Sequence, residues 1–239
     1  MQAREPSTLQ ILTSQTLAPL PLGTQSMADT GHAIFHANSG ADLACASCHP
    51  EGGDDGRVWL FSPKPALPAE PRRTQNLRGG ISVTAPFHWE GDLKDIDALM
   101  HEVFVSRMQG PELTAAELKS VRTWLDGVPL LPRRPVTDAA AVGRGRALFN
   151  ETSVACATCH AGLGDTLTNN TTHDVGTGKP FQVPSLRGLH YRAPYMHDGC
   201  AATVADRFRS PCGGGDRHGV TSRLTSEQIV DMTAYLESL

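Results

Sequence analysis

The chain has 239 residues, 39% hydrophobic and 5% aromatic, with a formal net charge of −4. The length suits two domains of about 100 residues better than one, and the lean apolar content implies that something besides side chains fills part of the interior. The acidic balance and the lack of a basic stripe argue against nucleic acid as a partner, and no run of about 18 apolar residues exists to span a membrane.

Residues 1–27 are polar with scattered proline and read as an extended or poorly ordered tail. Met1 to Ser26 has no basic start and no long apolar core, so no secretory signal is visible. The segment 28–128 follows as a first domain. It opens on Gly31-His32-Ala33-Ile34-Phe35 and reaches Cys45-Ala46-Ser47-Cys48-His49. A helical stretch covers Ile96 to Val105, and a capped amphipathic helix closes the domain. There Thr114 caps, Glu117 completes the capping box, and Leu118, Val121 and Leu125 form the apolar stripe.

Residues 129–135, Pro-Leu-Leu-Pro-Arg-Arg-Pro, form a stiff linker, because each proline fixes φ and removes a donor. The segment 136–239 then repeats the order of the first. Gly145-Arg146-Ala147-Leu148-Phe149 precedes Cys156-Ala157-Thr158-Cys159-His160. Ser185-Leu186-Arg187-Gly188 answers Asn76-Leu77-Arg78-Gly79, and Ala193-Pro194-Tyr195 answers Ala85-Pro86-Phe87. Thr225 and Gln228 cap a last helix striped by Ile229, Met232 and Leu236. Two tandem copies of one unit are the organisation. Between motif and final helix both copies are rich in Gly and Pro and read as loops with short helices, with no run of alternating strands.

The chemistry lies in the two CxxCH motifs. Two thiols three positions apart each form a thioether with a haem vinyl group, and the following His turns its imidazole to the iron. Cys45, Cys48 and His49 therefore hold one c-type haem, and Cys156, Cys159 and His160 hold a second. A redox dithiol would favour a βαβ context that is missing, and a CxxC with one adjacent His makes poor tetrahedral zinc geometry. Covalent attachment of this kind implies an oxidising compartment. Cys200 and Cys212, twelve residues apart around a Gly-rich loop, then read as a disulfide. Two buried thiols, or Cys212 as a thiolate ligand, are the alternatives.

The order CxxCH, then Val183-Pro184-Ser185-Leu186-Arg187-Gly188, then Ala193-Pro194-Tyr195-Met196-His197-Asp198-Gly199 resembles the di-haem cytochrome c peroxidase/MauG superfamily. Phe87-His88-Trp89-Glu90-Gly91-Asp92 is similar to the Trp-Asp-Gly stretch of its N-terminal domain. The resemblance covers about Gly31 to Leu239. It implies an all-α fold of two tandem cytochrome c-like domains with loop-rich haem pockets, Trp89 between the haems as an electron relay or as simple packing, and calcium between the domains, whose ligands the sequence does not place.

The sixth iron ligands separate the possible functions. For the first iron the candidates are His88, Met100, His101 and Met108. Met108 is favoured because the family's layout turns its segment to the distal side and a thioether suits low-spin iron, with His88 as the alternative. For the second iron the candidates are Met196, His197, Cys212 and His218. His218 is favoured by its distance from the Asp-Gly motif, with Met196 as the alternative.

The family's peroxidases carry a distal His after the first CxxCH and an acid beside the distal Met. Here Pro50 to Trp59 contains no His, and Arg107 precedes Met108. A guanidinium is no general base for peroxide cleavage. The sequence therefore favours a di-haem electron carrier serving a redox protein partner or a larger electron-transfer assembly. A peroxidase or MauG-like oxidoreductase acting on hydrogen peroxide or an oxidised substrate is the alternative. A periplasmic or extracellular location follows from the haem chemistry, with the chain a processed form or a piece of a longer polypeptide.

Overall fold

The computed structural model describes residues 30–62, 68–162, 164–209 and 212–239, together with the backbone of three short N-terminal strands. These strands, β1 (Gln2–Glu5), β2 (Thr8–Gln10) and β3 (Leu20–Pro21), form an antiparallel sheet in that order. The expected tail thus contains paired strands, and its other residues lie outside the described ones.

The rest of the molecule is rich in helix. Helix α1 (Thr30–His36) packs on α3 (Ala115–Gly127), and α4 (Ala139–Asn150) packs on α5 (Ser226–Glu237). Both expected capping boxes form. Glu117 N–H donates to Thr114 Oγ1 at 3.3 Å and Thr114 N–H to Glu117 Oε2 at 2.8 Å. The Thr225–Gln228 pair does the same at 3.2 and 2.9 Å. Each box satisfies donors that a bare helix start would leave open.

Both helix pairs cross at a glycine. A Cβ on Gly31 would stand 2.2 Å from the Ser120 carbonyl oxygen, and one on Gly145 would stand 2.0 Å from that of Asp231. The backbones approach closely there, which seats Phe35 and Phe149, one turn on, in two apolar clusters. The first cluster contains Phe35, Ile81, Ile96, Phe104, Val121 and Leu125, and the second Phe149, Val154, Val204, Met232 and Leu236.

The repeat extends to local backbone. Ala85-Pro86 and Ala193-Pro194 are both cis, His88 (φ 66°) and Met196 (φ 71°) are both left-handed, and Phe87 bridges Leu93 as Tyr195 bridges Ala201.

Two features depart from the sequence reading. The stretch expected as one helix splits into α2 (Ile96–Leu99) and a π-helix at Met100–Arg107. The wider turn brings residues five apart together: Arg107 donates to Glu102 Oε1 through Nε and Nη2 at 3.0 and 2.9 Å, and Ser106 Oγ donates to the His101 carbonyl. The loops also hold two antiparallel pairs, β4 (Val58–Phe61) with β5 (Glu70–Arg73) and β6 (Thr172–His173) with β7 (Phe181–Gln182). The all-α expectation is corrected to this extent. All four residues of β4 are exposed, so no apolar alternation marks it. Among the described residues no helix is long and apolar enough to cross a membrane.

Two outcomes follow. Gly145→Ala gains helix propensity of about 1 kcal/mol, yet the crowded crossing should outweigh it and lower stability by about 1–3 kcal/mol; an unchanged guanidinium midpoint would contradict this. Arg144 grips Asp231 through two hydrogen bonds of 2.7 Å, which hold its carboxyl below the ordinary 3.8. That contribution is complete above about pH 4 and is lost as the pH falls through the depressed value. Asp231→Asn should therefore lose less stability than wild type on acidification below pH 4, as followed by thermal melts.

Candidate functional site

Each CxxCH motif forms a single tight turn. The His49 amide donates to the Cys45 carbonyl at 2.9 Å and the His160 amide to that of Cys156 at 3.1 Å. Cys45, Cys48, Cys156 and Cys159 are free of disulfides. Burial pushes the Cys45 thiol up to about 11 and raises the other three. Reactive dithiols have lowered values, so these pairs are poorly suited to disulfide exchange.

Both histidines commit one nitrogen. His49 Nδ1–H donates to the Gly53 carbonyl at 3.2 Å and His160 Nδ1–H to that of Leu167 at 3.1 Å. Nε2 is left with its lone pair, as in metal-ligating histidines. Withdrawal from water lowers both imidazoles, His160 to about 4, so both rings are neutral at physiological pH, the form that binds a metal.

At the second motif a cavity of about 370 Å³ opens against His160. His218 lines its other side, with ring centroids 6.3 Å apart. Two imidazoles bound across one metal at about 2.0 Å each place their centroids about 6 Å apart, so the gap fits a bridging iron. Desolvation brings His218 down to about 3, and its Nδ1 is buried with no hydrogen-bond partner. Met196 and His197 line the same cavity, and His197 stacks on Phe181 at 4.1 Å.

The cavity also collects positive charge. Arg73, Arg192 and Arg207 line it. Arg73 is buried and pairs with Asp54 at 2.7 Å. Desolvation lowers Arg192 and Arg207 to about 10, and among the described residues neither lies within ion-pair distance of a carboxylate. The Nε atoms of Arg73 and Arg192 are buried without partners. Cations left so in an apolar cavity suit the propionates of a haem. Sequence reasoning missed these three arginines, which no motif marks.

Trp89 joins the two halves at this cavity. Its Nε1–H donates to the Arg73 carbonyl at 2.7 Å, its carbonyl accepts from the Gln182 amide at 2.7 Å, and its ring stands 6.3 Å from His197 and 6.4 Å from Phe181.

Around the first motif Met108 packs on the same apolar cluster as Cys45 and Ala46. His88 is half-buried and lowered by desolvation, with Nδ1 3.2 Å from Asp92 Oδ1. Of the other two candidates for the first iron, Met100 lies in the core and His101 at the surface beside Glu112. Among the described residues no ring is paired with His49 as His218 is with His160. Cys200 and Cys212 form the expected disulfide, which removes Cys212 from the ligand candidates and ties down the loop leading to His218.

The model of the cytochrome c family matches residues 142–239. The gamma subunit of hydrazine synthase from Kuenenia stuttgartiensis is 25% identical over 82% of this chain and 72% of its own. A solved structure of that enzyme superposes with a TM-score of 0.73 at 22% identity, covering all of both chains. The methylamine utilization protein MauG of Methylorubrum extorquens is 26% identical over 92% of this chain and 79% of its own. The diheme peroxidase BthA of Burkholderia thailandensis shares the fold, with a TM-score of 0.55 at 16% identity over 90% and 86% of the two chains. These similarities support covalently bound c-type haem. They fit the peroxidase/MauG-like alternative better than the electron-carrier reading, for which they offer no specific support.

Removing the bridge in a C200S/C212S variant should cost about 3 kcal/mol, the loop-closure value for a ring of this size. Coincident guanidinium unfolding curves would contradict it.

Proposed function

We propose, for a chain that belongs to the di-haem cytochrome c peroxidase/MauG-like superfamily, that it is a two-haem oxidoreductase acting on hydrogen peroxide or on an oxidised substrate. The observation that carries this reading is the asymmetry of the two motifs: an imidazole faces His160 at 6.3 Å, and among the described residues none is so paired with His49.

The assignment has two cytochrome c-like domains, 28–128 and 136–239, joined by the linker 129–135. Cys45, Cys48 and His49 hold the first haem, and Cys156, Cys159 and His160 the second. His218, facing His160, would be the second protein ligand there, and a bis-imidazole haem would supply electron storage and transfer. Met108, packed on the same cluster as Cys45, would be the thioether ligand of the first iron. Bound haem supplies the redox chemistry itself.

The protein's own groups do the rest. Arg192 and Arg207 would hold the propionates, with Arg73, steadied by Asp54, beside them. His88 is kept neutral by desolvation, with Nδ1 turned to Asp92; its other nitrogen is the proton carrier in place of the acid that Arg107 replaces. Glu102 is occupied by Arg107 and Glu90 by Arg72, so neither carboxylate is free for that role. Trp89 is the relay between the sites. The calcium implied by the resemblance belongs to this reading with no ligands assigned. A redox protein partner and a location outside the bacterial cytoplasm complete it.

Ferric electron paramagnetic resonance with peroxide titration tests this directly. The expected result is one low-spin component altered by His218→Ala and a second component that changes on adding peroxide. Two low-spin components, both inert to peroxide, would overturn the oxidoreductase reading.

A further inference from the structure

We propose that His32, His36 and Glu51 bind one divalent transition-metal ion, for which Zn²⁺ is a suitable probe, at a site separate from the two CxxCH motifs. His32 and His36 lie one turn apart on α1, so their side chains share a face. Their rings stack with centroids 4.0 Å apart. Glu51 arrives from the turn after His49 and presents Oε1 to His36 Nε2 at 3.0 Å and Oε2 to His32 Nε2 at 3.9 Å. Ligands around a tetrahedral zinc with bonds of about 2.0–2.1 Å stand roughly 3.3 Å apart. The two observed spacings straddle that value, and the three ligand atoms all lie within 4.8 Å of one another.

The orientation is also that of ligands. His36 Nδ1–H donates to the His32 carbonyl at 2.9 Å, which leaves Nε2 as the nitrogen turned to Glu51, where a metal ion would replace the proton shared with Oε1. Trp124 stands edge-on to both imidazoles, with centroids 5.5 and 5.9 Å away, and confines their rotation.

The second copy of the repeat serves as an internal control. Its corresponding positions are Arg146, Asn150 and Gly162. Asn150 Nδ2 makes the same helix contact as His36, donating to the Arg146 carbonyl at 2.8 Å. The CxxCH scaffold is therefore built without His, His and Glu at these places, and their convergence in the first copy calls for a separate reason. Two imidazoles and one carboxylate suit Zn²⁺ and its neighbours in the first transition row, whereas Ca²⁺ and Mg²⁺ prefer all-oxygen sites. Three protein ligands leave a fourth position for water, and the partial exposure of the cluster admits the ion from solvent.

The test uses haem-loaded, tag-free protein freed of loosely held metal by a chelator. Calorimetric titration with Zn²⁺, checked by metal analysis after gel filtration, should give one zinc per chain at this site. His36→Asn, which installs the residue of the second copy, and Glu51→Gln should each weaken it at least about 100-fold while the haem absorption is unchanged. The zinc K-edge spectrum of the wild-type complex should show two imidazoles and a carboxylate. No stoichiometric binding, wild-type affinity in either variant, or a zinc shell lacking two imidazoles would overturn the proposal.

Discussion

The hydrogen bond from His160 Nδ1 to the Leu167 carbonyl, with its counterpart from His49 to Gly53, is the constraint on which the rest depends. A free imidazole at the end of a CxxC turn could present either nitrogen and swing about χ1. Tying Nδ1 to the backbone fixes the tautomer and aims Nε2 away from the turn. Desolvation then keeps each ring neutral. The cysteines, cavity and arginines are arranged around a nitrogen whose direction is already set.

From that constraint the two halves diverge. Around His160 the chain leaves a cavity, faces it with His218 and lines it with Arg192 and Arg207, which have no carboxylate within ion-pair distance among the described residues. Beside the first motif it packs Met108 with Cys45, and the neighbouring Arg107 is drawn onto Glu102 by the π-helical pitch. Duplicated backbone thus carries different chemistry. The same left-handed position holds His88 in one copy and Met196 in the other, and the next residue is Trp89 in one and His197 in the other. Those two rings meet at the second cavity, where backbone bonds from Arg73 to His197 and from Gln182 to Trp89 stitch the halves together.

What was legible in the sequence was local or repeated. The CxxCH turns, both capping boxes, the apolar stripes of α3 and α5 and the Cys200–Cys212 bridge all follow from residues close together in the chain. The π-helix was not legible, because the Glu102–Arg107 pair has the spacing of no ordinary helix. The β4–β5 hairpin was missed because its first strand buries nothing. Arg73 lies more than a hundred residues from Arg192 and Arg207, and only the folded cavity brings the three together. The departure at Arg107 pulled the functional reading toward a carrier. The relatives pull it back toward the oxidoreductase, and in the proposed reading His88, held by Asp92, takes the part of proton carrier.

The account stands on two macrocycles attached through thioethers to one polypeptide. The most direct measurement is the intact mass of the native protein, followed by mass mapping of its proteolytic fragments. It should show two added haems, one on the fragment holding Cys45 and Cys48 and one on that holding Cys156 and Cys159. A mass equal to the bare polypeptide, or a single haem on either fragment, would contradict it.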